Sequence, residues 1–330
     1  MKRSKRISGV KSVDFKIIAG GHGVVNWNGT TEVEGHDGKT INNHSMPKLR
    51  GYTNLSGRIK EKEEGQADYK YRKRANDLDF KKNPLYISAN CFRHHLFKDH
   101  SQDSHQFTDK NILQVLPTIT GLVRGYMVPS KSNMGLKRQS ALFIGDLVDT
   151  LANGNYEQFS RAGVRDSSSF YSKVTFGDTQ YIGYGSISIE SLQFISLDQK
   201  YDSAAAVIKE GQGETLAQDI EAFLKSIDDE NNPTATFHPN YVRNGRIFND
   251  GEAGILLNED AIENLVWFTL DLIENAGIRQ GQGDMYVDQL LVDYNDSNRA
   301  MRIKRDEGAI SNERESPYAT YYTAVDGEPA

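Results

Sequence analysis

Residues 12–25, SVDFKIIAGGHGVV, decide how the fold begins. An apolar run, a glycine turn and a second apolar run predict a strand that turns and continues in extended form. Residues 140–151 and 170–197 are also strand-like, and GSISIESLQFISLD, at the end of the second segment, alternates apolar and polar residues best. These segments predict a sheet that helices cover on one side.

Two helices are predicted between the first strand and residue 124. Residues 84–98, PLYISANCFRHHLFK, predict a short helix with Ser88 as its N-cap. Residues 109–123, DKNILQVLPTITGLV, predict a second helix. Pro117 should bend or end this helix, because proline lacks the amide hydrogen that a continuous helix uses.

Two longer helices and a hairpin are predicted in the second half of the chain. Residues 214–227 and 259–276 each place apolar side chains on one stripe of a helix. We expect Asn258 to cap the second of these helices and Gly277 to end it. Residues 284–304 predict a final hairpin.

The order of these elements predicts a single α+β domain over residues 1–330, with loops elaborated away from the sheet. Residues 26–83 show no sustained period of either secondary structure, so we expect a projecting insertion there. Residues 125–139 predict a basic loop. Residues 308–330 have little core signal, and we expect a flexible tail.

The composition limits the possible compartments and sites. A single cysteine, Cys91, excludes an intrachain disulfide and a four-cysteine zinc site, and is typical of a reducing compartment such as the cytoplasm. No stretch approaches the ~18 apolar residues of a membrane span, so we expect no membrane association. The start, MKRSKRISGVKSVDF, is basic but lacks the apolar core of a secretory signal, so we expect none.

Charge is distributed unevenly along the chain. The net charge is −6, but residues 1–138 carry 25 Lys and Arg against 13 Asp and Glu, a net charge of +12. Residues 139–330 carry 14 against 32, a net charge of −18. Such asymmetry indicates an anionic partner for the first part of the chain.

Basic side chains in the first part interleave with aromatic and apolar residues, a pattern typical of nucleic-acid binding. Those in the insertion include Lys48, Arg50, Arg58 and Lys60, followed by YKYRKR at 69–74. Those around the basic loop are Arg124, Lys131, Lys137 and Arg138. Basic groups neutralise phosphates, and aromatic or apolar side chains stack on bases or insert between them.

Other candidate chemistry is weaker. GGHG at 20–23 lacks the third glycine and the following helix of a dinucleotide fingerprint, so we expect no cofactor. The spacing within the carboxylates of the insertion does not favour a metal ion over solvent. The histidines lack the spacing of zinc ligands, although such a cluster is compatible with acid–base cleavage of RNA. They are His94, His95, His100 and His105.

Three short motifs resemble a known family. HGVVNWNG (22–29), ISANCFRHHLF (87–97) and ITGLVRGYM (119–127) are similar to the Cas-seven backbone subunits of CRISPR surveillance complexes, also called Cascade. The resemblance is greatest to variant type I-F and type IV members. It implies an RRM-like, or ferredoxin-like, palm that carries large finger and thumb loop insertions.

The resemblance also implies partners and contact residues. Family members stack head to tail along one guide RNA, or crRNA, which pairs with a target nucleic acid that we expect to be DNA, and they assemble with other Cascade subunits. The motifs place His22, Asn26 and Trp27 near the RNA or a neighbouring subunit, and Asn90 and Arg93 beside the guide. The loop after the third motif supplies thumb or groove contacts from Arg124, Lys131, Lys137 and Arg138.

We therefore expect a non-catalytic RNA-binding subunit, because the loop aspartate with which type III relatives cut RNA has no match here. Two alternatives remain open. The first is a CRISPR-associated RNA endonuclease that processes the guide precursor with His94 or His95. The second is the single-copy subunit that caps the 5′ end of the guide.

Overall fold

A computed structural model describes residues 7–27, 31–34, 40–43, 47–50, 60–61, 67–68, 79–100, 108, 111–128, 135–161, 170–201, 204–247, 249–280 and 283–326. The strands in these ranges are β1 (Ser12–His22), β2 (Thr31–Glu34), β3 (Thr40–Asn43), β4 (Lys60–Glu61), β5 (Ala67–Asp68), β6 (Tyr86–Ile87), β7 (Tyr126–Val128), β8 (Leu136–Arg138), β9 (Leu142–Ile144), β10 (Leu147–Asp149), β11 (Asn155–Arg161), β12 (Phe170–Phe176), β13 (Asp178–Ser188), β14 (Phe194–Ser196), β15 (Ala235–Arg243), β16 (Glu252–Leu257), β17 (Gly277–Gln280), β18 (Gly283–Asn295) and β19 (Tyr322–Ala324).

The helices in the same ranges are mostly short. They are α1 (Ala89–Leu96), α2 (Ile112–Val115), a π-helical turn (Thr120–Arg124), α3 (Ile189–Gln193), α4 (Gln212–Ile227), α5 (Glu259–Glu274) and α6 (Arg302–Arg305), with 3-10 turns at Lys98–His100 and Glu307–Ala309. No helix in these ranges is both long and apolar enough to cross a membrane.

The main sheet has seven antiparallel strands, and β1 lies inside it. The order is β17-β18-β1-β13-β10-β6, and β9 also pairs with β13. Along its whole length β1 pairs with β13 on one side and β18 on the other. Val13, Phe15, Ile17 and Ala19 are all fully buried, because alternate side chains of a strand point to one face. The predicted first strand is confirmed.

A second, smaller sheet has the order β14-β16-β15-β19. Helix α4 packs against β15, and α5 packs against both α4 and β18, so these helices join the two sheets. The mixture of helices with antiparallel sheets confirms the α+β class.

Local signals located the helices well. Ser88 caps α1, where its Oγ accepts a hydrogen bond from the Cys91 amide at 3.4 Å. Asn258 caps α5 through Oδ1, which accepts from the Ala261 amide at 2.9 Å. The predicted interruption at Pro117 is also present, because that residue lies between α2 and the π-helical turn.

Three expectations about segment ends are wrong. Helix α5 ends at Glu274, and Gly277 instead begins β17. The final hairpin is formed by β17 and β18, whereas the second half of the predicted 284–304 hairpin contains α6. Both ends of the predicted 125–139 loop pair as the hairpin β7–β8, because Tyr126 to Val128 lie opposite Leu136 to Arg138.

The tail expected at 308–330 instead packs on the body over much of its described length. Tyr318, Ala319 and Tyr321 are buried, and β19 extends the second sheet by pairing with β15. The Ala319 amide donates to the Val10 carbonyl at 2.8 Å, which ties this segment to the start of β1. Its pattern gives little core signal because the buried side chains are few and two of them are tyrosines.

A buried ionic network fixes β18 and the segment that follows it. Asp293 is fully buried, and its two oxygens accept from Arg302 Nη2 at 2.6 Å and Nε at 3.1 Å. The Ser311 amide also donates to Asp293, at 3.0 Å. The arginine side chain is itself largely buried. Breaking such a pair leaves a carboxylate buried without a counter-ion.

We expect Arg302→Ala to lower the free energy of unfolding by about 3 kcal/mol, because it leaves the buried Asp293 carboxylate without a counter-ion. Arg305→Ala, on the exposed side of the same helix, is the matched control and should cost less than ~0.5 kcal/mol. Urea denaturation of both variants measures the difference. Equal stability of the two variants would contradict a structural role for the network.

Candidate nucleic-acid interface

The start of α1 is fixed by polar side chains from three other segments. Asp146 Oδ1 accepts from the Ala89 amide at 3.0 Å, next to the Ser88 cap. The buried Asn26 donates from Nδ2 to Ser88 Oγ at 3.4 Å. Arg50 forms an ion pair with the same Asp146 at 3.7 Å. The helix therefore projects its side chains from a defined position.

Arg93 on α1 joins the helix to two neighbouring loops. Its Nη2 donates to the Arg124 carbonyl at 2.7 Å and to Ser140 Oγ at 3.1 Å, and its Nη1 lies 3.4 Å from the Leu142 carbonyl. The Arg124 carbonyl lies at the end of the π-helical turn. Backbone carbonyl oxygens at the end of a helix interact favourably with a cation. Half-burial and the positive charge of Arg124 lower the pKa of Arg93. Arg93 thus positions the backbone around Arg124.

The two arginines line a cleft of about 440 Å³, here called the arginine cleft. Burial also lowers the pKa of Arg124, so both guanidinium groups are partly removed from water. Neither of them forms an ion pair with a carboxylate in the described ranges. An anion would therefore be stabilised in this cleft. Among the described residues, the lining comprises Asn90, Arg93, His94, Arg124, Gly125, Tyr126 and Met127.

An apolar side chain projects beside these cations. Met127 is 75% exposed in β7. The preceding Tyr126 is anchored instead, because its hydroxyl donates to the Ala205 carbonyl at 2.8 Å and burial raises its pKa. The hairpin root is thus held in place while the methionine remains available to a ligand.

The structure brings together some of the predicted site residues. Asn90, Arg93 and Arg124 share the arginine cleft, as the motifs implied. Lys48 and Arg50 lie near the start of α1, where the Lys48 amide donates to the Asn26 carbonyl at 2.9 Å. Lys48 therefore places a positive charge near Cys91 of this helix, whereas the charge of Arg50 is paired with Asp146.

Other predicted contacts have different environments. His22 ends β1 between two carboxylates, with Nδ1 3.1 Å from Asp178 and its amide donating to Asp284 at 3.0 Å. Asn26 is buried by its capping contact, and Trp27 donates from Nε1 to the Val24 carbonyl at 3.0 Å. The proposed direct RNA contacts of Asn26 and His22 therefore have no support in this geometry.

Arg138 is the largest departure from the sequence expectation, which gave it an exposed phosphate contact. It is 7% exposed and donates from Nη1 to the Phe194 carbonyl at 2.8 Å and from Nη2 to the Ser191 carbonyl at 2.5 Å. Lys137 beside it is exposed, because alternate residues of β8 point to opposite faces. Both residues line a second cleft rather than the arginine cleft.

Several predicted contacts cannot be placed. Arg58 and Lys131 lie outside the described residues. For Lys60 the structure describes the backbone, as part of the short ladder between β4 and β5. These three residues stay predictions.

The histidine cluster is divided in the structure. His94 lines the arginine cleft, whereas His95 packs towards β17, with Nε2 3.3 Å from Gln280 Nε2. Burial, with the nearby charges of His94 and Lys98, lowers the pKa of His95. His105 lies outside the described residues. Within the described ranges, no three His, Cys, Asp or Glu side chains are grouped as metal ligands would be.

Two residues that organise the cleft were missed by pattern reasoning. Ser140 bridges Arg93 and the Leu142 carbonyl through its hydroxyl. Its position in a loop between two short strands gives no signal for that role. Gly125 has a φ of +73° at the entrance to β7. The GLVRGYM motif contains this glycine. The signal available in the sequence was therefore a turn whose backbone conformation favours glycine.

Comparisons with known proteins agree with the motif resemblance. The family model described as "Type I-Fv CRISPR-associated protein Cas7fv-like" matches residues 9–325 of the chain. This match confirms a Cas7-type CRISPR subunit. No curated protein matches the chain.

We expect Gly125→Ala to destabilise the protein by about 3 kcal/mol or more, because a Cβ there would lie 2.5 Å from the Arg138 carbonyl oxygen. Gly211→Ala is the matched control, since its φ is +78° and its Cβ would meet nothing within 4 Å. That control should cost only the ~1 kcal/mol of left-handed backbone strain. Urea unfolding compares them, and an equal loss would show that close approach at Gly125 is unimportant.

Proposed function

This chain belongs to the Cas7fv-like family of type I-Fv CRISPR-associated proteins, and from that premise we propose that it is a non-catalytic backbone subunit that binds guide RNA. Several copies assemble head to tail along one crRNA, together with other Cascade subunits. The subtype that we propose is variant type I-F rather than type IV. The compartment that we propose is the cytoplasm.

We propose that the main sheet is the RRM-like palm. In support, β13 lies between β1 and β10, and α1 and α2 occur in the connection from β1 to β10. Helices α3, α4 and α5 occur in the connection from β13 to β18, which pairs with the other side of β1. A split β-α-β fold has its strands and helices in this order, which supports the proposal. The hairpin β7–β8 is then the root of a thumb, and 26–83 the finger insertion.

The arginine cleft is the observation that carries the RNA-binding proposal. Its two guanidinium groups lack carboxylate partners in the described ranges, and Asn90 adds an amide. Arginine presents several donors in a planar fork that suits phosphate oxygens. Because Arg93 already donates to three protein oxygens, Arg124 is the residue that we assign to the phosphate.

Met127 gives the same cleft an apolar tip. An exposed methionine beside cations can insert between stacked bases and separate them. The guide would then supply sequence specificity by pairing with its target, which we propose is DNA, while the protein recognises backbone and shape.

A processing endonuclease is the alternative that one observation favours, because His94 lines the arginine cleft. Acid–base cleavage of RNA needs two groups that exchange protons with the reacting atoms. His95 contacts Gln280 on a different side, and its lowered pKa favours the neutral form. A single histidine among arginines therefore suits binding better than cleavage. The 5′-capping subunit differs in binding the guide as one copy.

We expect Arg124→Ala to reduce guide RNA copurification and to flatten the salt dependence of binding by about one unit of slope, as loss of one phosphate contact does. The substitution spares the fold, because Arg93 binds the backbone carbonyl at this position. Arg305→Ala is the control. The absorbance ratio at the nucleic-acid and protein maxima, followed by filter binding over a salt series, measures both effects.

An unchanged salt slope in Arg124→Ala, with unchanged copurified RNA, would remove the assignment of this cleft to the guide. Loss of RNA from both variants would instead indicate general electrostatic attraction without a defined site.

We expect labelled guide precursor to be shifted but left intact by the purified protein. His94→Ala should give the same intact product with similar affinity, since no second histidine or carboxylate lines the cleft in the described part of the chain. Denaturing gel electrophoresis after prolonged incubation measures product length. Cleavage by the wild-type protein that His94→Ala abolishes would establish the endonuclease instead.

A further inference from the structure

A second cleft of about 500 Å³ lies against β8 and is not used by the proposed guide site. It is here called the hairpin cleft, and its lining includes Lys137, Arg138, Glu190, Tyr201, Arg246 and Glu252. Its volume falls in the range of pockets that hold ligands, about 300–1,000 Å³. It joins the hairpin β7–β8 to the second sheet.

The Arg138 guanidinium in this cleft has no counter-ion in the described part of the chain. Its contacts are two backbone carbonyls, and its Nε has no hydrogen-bond partner there. Burial lowers the pKa of Arg138 to about 10. A buried charge is costly unless it is paired, so a carboxylate entering the cleft would be stabilised.

The acidic residues of the wall are already engaged. Glu190 is held by Arg243 through two contacts of 2.6 and 3.2 Å. Glu252 accepts a hydrogen bond from Ser196 Oγ. The exposed Arg246 places its guanidinium carbon 5.0 Å from the centre of the Tyr201 ring, near the mouth. Arg246 forms no ion pair in the described ranges.

Exposed aromatic and aliphatic side chains belong to the lining or lie close to lining residues along the chain. Tyr201 is 47% exposed, Val207 65% and Ile247 78%. Val207 follows the lining residue Ala205 by two positions, and Ile247 follows Arg246 directly. Tyrosine and arginine, such as Tyr201 and Arg246, are residue types enriched in protein–protein interfaces.

We propose that the hairpin cleft is a docking site for an acidic, aliphatic peptide segment of a partner protein. A carboxylate of the segment meets Arg246 at the mouth and Arg138 within, and its aliphatic side chains cover Val207 and Ile247. The arginines without a counter-ion favour a partner segment that carries negative charge. The exposed aliphatic side chains favour a protein partner over a nucleic acid.

Nucleic acid fits this cleft less well. A strand carries a negative charge at every nucleotide and binds where several unpaired cations lie in a row. Glu190 and Glu252 in the wall would repel such a polyanion more strongly than a peptide segment that carries few carboxylates.

The test uses the full chain carrying its RNA and a fluorescein-labelled peptide of alternating leucine and glutamate. Fluorescence anisotropy should show saturable binding of this peptide. Replacing its glutamates by glutamine, or its leucines by serine, should weaken binding about tenfold or more. A single-stranded oligouridylate of equal charge is the nucleic-acid arm, and we expect it to be insensitive to substitutions in the hairpin cleft.

Two surface variants locate the site. Arg246→Glu and Ile247→Ser should each weaken peptide binding about tenfold, because they reverse the charge and remove the apolar anchor. Arg305→Glu, an exposed arginine outside the cleft, is the control and should leave binding unchanged. Thermal unfolding checks that all three variants are folded.

The proposal is overturned by absence of saturable peptide binding, or by binding that Arg246→Glu and Ile247→Ser leave unchanged. Oligouridylate binding that is lost in these variants would assign the cleft to nucleic acid instead. Guide RNA retention is measured in parallel. Retained RNA with failed peptide binding rejects the docking site alone, whereas lost RNA in Arg124→Ala with intact peptide binding separates the guide site from it.

Discussion

Two buried carboxylates on neighbouring strands impose the constraint on which much of the structure depends. Asp14 on β1 lies directly opposite Asp293 on β18, and both are fully buried. Ser186 Oγ and Asn295 Nδ2 donate to Asp14 at 2.6 and 2.9 Å, while Arg302 neutralises Asp293. Such groups are tolerated inside a protein only when every oxygen is satisfied. The chain after β18 must therefore fold back over the sheet.

The same constraint affects the position of the candidate interface, because strand pairing in the main sheet connects the two. The register of β18 on β1 determines where β17 lies, because β18 is the strand with which β17 pairs among the described residues. Gln280, at the end of β17, lies against His95 of α1. The same helix carries Arg93, which holds the Arg124 backbone. The arginine cleft is thus supported by the central strands, although none of its lining residues belongs to them.

What the sequence predicted correctly was local. Ser88 and Asn258 cap helices through amides three residues away, and Pro117 interrupts a helix by its own chemistry. Arg138 could not be predicted in the same way, because its burial depends on carbonyls at Ser191 and Phe194, far along the chain. The sequence pattern does not distinguish the buried Arg138 from its exposed neighbour Lys137, because both are basic residues in a basic segment.

The segment after residue 307 shows the same limit of sequence-based prediction: we expected it to be a flexible tail, and part of it is buried. Its burial depends on Val10, at the opposite end of the described chain, so its own residues carry little signal. The family motifs drew attention to Asn90, Arg93 and Arg124, which the structure places in one cleft, whereas periodicity gave no signal for them. Motifs preserve a spatial arrangement that a period of apolar residues does not express.

The charge counts of the two parts of the chain became informative only when the positions of the charged residues in the fold were known. The basic excess of the first 138 residues predicts a cationic surface, yet His22 within it lies between Asp178 and Asp284. The hairpin cleft likewise combines Lys137 and Arg138 of the basic part with Glu190, Arg246 and Glu252 of the acidic part. Residues of the basic and acidic parts therefore share local environments in the folded chain. Because screening limits the interaction of exposed charges to about 8–10 Å, these local environments decide the partners more than either total does.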